Sequence, residues 1–119
     1  MNFFLRFVAV FICLLPQIII AADAPKFEID PFWPKALPNQ WTLGQVAGVA
    51  VDEKDHIWII QRPRSLSRLE AAAAQKPARA ICCNPAPPVI EFDQDGNVVQ
   101  AWGGDGIGFD WPKQEHGIR

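Results

Sequence analysis

The chain has 119 residues, with 11 Lys and Arg against 13 Asp and Glu and a net charge of −2. That length suits one small domain. The acidic balance, with no basic cluster, excludes a binder driven by nucleic-acid phosphates. A chain that is 50% hydrophobic and holds five Trp is not a disordered tail.

Residues 1–22 have the layout of a secretory signal peptide. Arg6 supplies a positive charge, an apolar run extends from Phe7 to Ile20, and small residues follow at Ala21, Ala22 and Ala24. The run is short for a membrane span, and Pro16 interrupts it. Pro25 obstructs cleavage after Ala24, which places the cut after Ala21 or Ala22. An uncleaved anchor is the alternative. Cys13 lacks the preceding small residue that a lipid-attachment site needs. The expectation is an exported protein, periplasmic or extracellular, with no stable membrane span after cleavage.

Residues 23–43 read as an extended segment, and residues 44–119 as the folded part. Within it, "QVAGVAVD" is a strand rich in Val that ends at Asp52. "HIWIIQR" follows after a polar turn. An insertion runs over residues 63–87, and in it "SLSRLEAAAAQKPARA" reads as one short helix or a loose segment. Ser67 suits a cap, and Pro77 ends the run. "PVIEFD" is the third strand. Asp95-Gly96-Asn97 is a turn signal, and "VVQAWGG" is the fourth strand.

Cys82 and Cys83 are adjacent. Export favours oxidation. Ordinary disulfide spacing exceeds one peptide step, so a bond between neighbours needs a distorted backbone. Three readings stay open: a vicinal disulfide, two free thiols, or pairing with cysteines outside this chain.

The two hairpins align without gaps. In "AVDEKDHIWII" and "EFDQDGNVVQA", Asp52 meets Asp93, Asp55 meets Gly96, His56 meets Asn97 and Ile57 meets Val98. Each is strand, Asp, tight turn, strand. The expected fold is all-β. Four short antiparallel strands in meander order make one blade of a β-propeller. "EHGIR" starts another unit, with His116-Gly117-Ile118 parallel to Ala47-Gly48-Val49. The expectation is therefore one four-stranded blade plus the start of the next, as an incomplete domain. Such a chain is either a fragment or the product of a truncated gene, because a lone blade has uncovered faces.

The pattern "GVAVDEKDHIWII…PPVIEFDQDGNVVQAWGG…HGI" resembles the NHL-repeat β-propellers over roughly residues 44–119. With "FEIDPFWPKALPNQWTLGQVAGVAVD" and "WIIQRPR", it is similar to exported bacterial relatives of peptidyl-α-hydroxyglycine α-amidating lyase. That resemblance implies a six-bladed propeller. It implies a zinc ion on three histidines from different blades, a structural calcium ion, and an arginine and a tyrosine that assist cleavage of a hydroxyglycine. By position, His116 in "HGI" is the implied metal ligand and Arg62 in "IIQRPR" the implied catalytic arginine. Gln61 stands where the family has His, and the chain has no Tyr. The implied ligand is a peptide or small molecule in the propeller channel.

Blander roles stand beside these. His116 also suits a polar strand entry, and Arg62 an ordinary lead into the insertion. His56 matches Asn97 and reads as a turn residue. Asp52, Asp55, Asp93 and Asp95 read as turn formers, since they lack a dense calcium loop. The tryptophans read as fillers between blades, and the glycines from Gly103 to Gly108 as a connector. A non-catalytic propeller that binds protein or peptide is a second function, and a lactonase-like hydrolase a third. The 119 residues alone are expected to be inactive and poorly soluble.

Overall fold

The computed structural model describes residues 23–106 and 108–119. The signal-peptide expectation lies on residues 1–22, outside the described residues. No helix among the described residues is long and apolar enough to cross a membrane.

The described chain is all-β, with six strands: β1 (Trp41–Thr42), β2 (Gln45–Val51), β3 (Ile57–Arg62), β4 (Asn84–Pro85), β5 (Val89–Phe92) and β6 (Val98–Trp102). Strands β2, β3, β5 and β6 form one antiparallel sheet in that order. Strands β1 and β4 form a small parallel pair. The four strands of the main sheet fall where β-branched and aromatic residues concentrate in the sequence, because those side chains pack well on a pleated surface.

The two turns share one mechanism. Asp52 N–H donates to the His56 carbonyl at 3.1 Å, and Asp93 N–H to the Asn97 carbonyl at 3.0 Å. Each aspartate's Oδ1 accepts the backbone N–H four residues on, from His56 at 3.0 Å and from Asn97 at 2.8 Å. Asp55 and Gly96 both take positive φ, 59° and 85°. Gly does so without steric cost, and Asp tolerates it through its short polar side chain. The alignment of the two hairpins is thus also a match of hydrogen bonds.

Both turns hold their carboxylates ionised. The Trp58 indole N–H is the main cause that keeps Asp52 below its ordinary value of 3.8. The Asn97 side chain does the same for Asp93. A carboxyl lowered by folding stabilises the fold above its unfolded value, and that support is lost as pH falls through the folded value. Stability is therefore expected to be flat above about pH 5 and to fall below about pH 4. Denaturant midpoints measured across that range check it, and Asp93→Asn should flatten the slope.

On one face of the sheet, Ile59, Ile90 and Phe92 pack with Ala86 as the buried core. The extended segment before β2 lies over them through Trp33, Leu37, Trp41 and Leu43. Trp33 meets Phe92 with ring centroids 5.4 Å apart, and Lys35 N–H donates to the Gly96 carbonyl at 2.9 Å. This cover does not reach the edge strand. Val46, Val49 and Val51 of β2 are 48%, 59% and 62% exposed, although Val49 and Val51 pair with Ile59 and Ile57 on the same face. Strand β5 is buried on both faces, which accounts for its nearly continuous apolar run.

The expected helix after residue 65 is absent. Ser67 and Glu70 form a reciprocal cap, with Ser67 N–H on Glu70 Oε2 at 2.8 Å and Glu70 N–H on Ser67 Oγ at 3.3 Å. One turn closes, from Ala71 N–H to the Ser67 carbonyl at 3.1 Å, and only short 3₁₀ turns at Pro63–Ser65 and Ala72–Ala74 occur there. The stretch before Pro77 is too short to repay helix nucleation without a long face to bury. The insertion is the loose segment of the two expected forms.

Candidate functional site

Polar groups gather at the two ends of β3. At its C-terminal end, Arg62 is half-buried, and its Nε donates to the Glu115 carbonyl at 2.7 Å. The next residue, His116, is exposed. A Cβ placed on Gly48 would lie 2.9 Å from Gly117 Cα, so the backbone after His116 crosses β2 at its glycine. The two glycines that the repeat alignment equates are in contact. The missing side chain of Gly48 permits this approach, whereas a Cβ on Gly117 would meet open space.

An open cavity of about 170 Å³ adjoins Arg62, lined also by Gln45, Arg64, Ser65, Lys113 and Glu115. Arg64 is engaged by Asp105 at 2.5 Å and by the carbonyls of Pro112 and Lys113, each at 3.1 Å. Among the described residues no acceptor meets the terminal nitrogens of Arg62. Glu115 is buried, and its Oε1 accepts the Trp111 indole N–H at 2.7 Å. This end of the sheet is thus cationic, with one arginine fork available to a carboxylate or carbonyl oxygen.

Gln61 explains itself in the structure. Its side chain is fully buried. Its Oε1 accepts the Gly44 N–H at 2.8 Å, and its Nε2 donates to the carbonyls of Ala86 at 2.8 Å and Pro87 at 3.1 Å. One amide ties the start of β2 to the segment entering β5.

At the other end of β3 stands a second constellation. Asp52, His56 and Glu91 each offer a ligand atom, all within 4.8 Å of one another. His56 Nδ1 lies 2.6 Å from Glu91 Oε1, and Glu91 Oε2 accepts from Gln100 Nε2 at 2.5 Å. Asp52 Oδ2 accepts the Trp58 indole N–H at 3.0 Å. Glu91 is only 5% exposed, and a glutamate so buried needs partners. The register delivers them: Glu91 pairs with Gln100 across β6, and its pairing with Trp58 across β3 brings His56, two residues earlier, within reach.

Of the residues singled out from sequence, Arg62 and His116 are brought to one end through the Glu115 backbone. Among the described residues His116 is not part of any group of three potential metal ligands. Asp52, Asp55, Asp93 and Asp95 do not form a calcium loop, and the carboxylates of Asp52 and Asp93 serve the turns. Cys82 and Cys83 are joined by a disulfide, with Cys83 at φ 117°. Glu91 carries little signal in the sequence. Its only signal was a lone acid inside the apolar run "PVIEF".

No family model, curated protein or solved structure matches the chain.

Proposed function

We propose that this chain forms one blade, and the start of the next, of an exported NHL-type β-propeller. We propose further that the propeller is a metal-dependent lyase of the peptidyl-hydroxyglycine amidating kind. The observation that carries the reading is the Arg62–Glu115 contact at 2.7 Å beside the Gly48–Gly117 approach. Together they lay residues 115–118 beside β2, which supports reading that segment as the start of a second repeat. Neighbouring innermost strands have that relation around a propeller channel. The bare valines on β2 agree, since a blade needs further blades against its faces.

Within this reading Arg62 orients the substrate. Its free guanidinium edge donates parallel hydrogen bonds to a carboxylate, while its Nε holds the segment that presents His116. His116 is exposed and follows the residue whose carbonyl Arg62 holds, and it fits one position of a three-histidine zinc set whose other members come from other blades. Zinc bound there would polarise an oxygen of the substrate and lower the pKa of a bound hydroxyl or water.

The test is zinc content and glyoxylate release from a hydroxyglycine-ended peptide, measured on the propeller that carries this blade. His116→Ala is expected to reduce both. Arg62→Ala is expected to lower turnover by about a hundredfold or more, the usual effect of losing one oriented donor. Zinc uptake indifferent to His116→Ala, with no glyoxylate formed, would refute the assignment.

A further inference from the structure

We propose that Asp52, His56 and Glu91 form a separate site for a divalent transition metal, with zinc as the reference ion. The site lies at the opposite end of β3 from Arg62. Five residue steps separate Ile57 from Arg62, about 17 Å at the usual rise per strand residue. It therefore does not share ligands with the Arg62–His116 end.

The internal repeat supplies a control. His56 and Asn97 hold the same place in matching turns, and both turns close by backbone hydrogen bonds to an aspartate. Asn97 completes its turn by donating from Nδ2 to its own Asp93 at 2.9 Å. His56 does not fold back in this way. Its ring reaches across the sheet to Glu91, 35 positions on. The freed oxygen of Asp52 is taken by Trp58. The turn thus needs no imidazole, and the first hairpin offers one, beside Asp52, to Glu91 at the start of the second.

The donor set has the character of a metal site. Imidazole and carboxylate suit zinc and its neighbours. Each carboxylate is already oriented from outside: Glu91 by Gln100, Asp52 by Trp58 and the Lys54 and His56 N–H groups. Such outer donors fix ligand geometry. The 2.6 Å pair of His56 and Glu91 would open by under about 1 Å to admit an ion at about 2.0–2.2 Å from each ligand atom. Any proton between them passes to solvent. Three protein ligands leave a fourth position for water.

The experiment titrates chelator-stripped protein with Zn²⁺ against a chromophoric chelator, for wild type, His56→Asn, Glu91→Gln and His116→Ala. His56→Asn installs the residue that the second hairpin uses, so the turn is retained. A zinc equivalent that persists in His116→Ala and weakens at least about tenfold in both His56→Asn and Glu91→Gln is the expected result. Quenching of Trp58 emission by Co²⁺ at the same site, lost in Trp58→Phe and in His56→Asn, gives a second readout. Binding unchanged by His56→Asn, or absent from wild type, overturns the proposal. Loss of zinc in His116→Ala alone would leave the lyase reading standing and overturn this one.

Discussion

Phe92→Ala is expected to cost about 3–5 kcal/mol, the range for an aromatic removed from a packed core. Phe92 is 1% exposed and packs with Ile59, Ile90 and Ala86 under Trp33. It also faces Ile57 across the sheet. Small domains hold roughly 5–15 kcal/mol in all, so this loss approaches the whole margin. The strand signal in circular dichroism and the protection of β3 and β5 amides from hydrogen exchange should both collapse. Phe109 is the comparison. It is 54% exposed, and Phe109→Ala should fall within about 0.5 kcal/mol of wild type. Equal effects at the two positions would mean that the core lies elsewhere.

Gln61→Leu carries the second large effect, although it keeps the side chain's size. It strands the Gly44 N–H and the carbonyls of Ala86 and Pro87, all of which Gln61 serves. Each buried polar group left without a partner costs about 1–3 kcal/mol. A loss of about 3 kcal/mol or more is expected in urea unfolding. Gln61→Glu separates the causes. It retains the acceptor for Gly44 but removes the amide donor to the two carbonyls, so it should also be strongly destabilising. A near-neutral Gln61→Leu would show that water serves these groups.

The strands and turns were legible in the sequence because their causes are local. The positions of β2, β3, β5 and β6 follow β-branched and aromatic runs, and the Asp-led turns repeat with the same residue types. Pairing in chain order follows from short connections between antiparallel neighbours. The insertion was ambiguous for a local reason too. A helix that starts well at Ser67 lacks the length to continue, and propensity alone does not decide so short a case.

The site was legible only in part. Arg62 and His116 were singled out through the family resemblance, and the structure adds a hydrogen bond from Arg62 to the Glu115 carbonyl beside His116. His56 was read as a turn residue, which its backbone is. Its ring has another partner because β3 pairs with β5 and β5 with β6. That pairing brings Glu91 between Trp58 and Gln100 and within reach of the imidazole. No window of neighbouring residues contains that juxtaposition.

From the sequence alone came the all-β character, the four strands of the main sheet, the two homologous turns and the adjacency of Cys82 and Cys83. Alternation, turn chemistry and spacing act over a few residues, and a linear pattern records them. The tertiary structure alone decided that the segment before β2 covers Phe92, that Gln61 holds two chain segments together, and that Asp52, His56 and Glu91 converge. These depend on which strands lie side by side and in what register, and that is set by the joint burial of residues far apart in the chain.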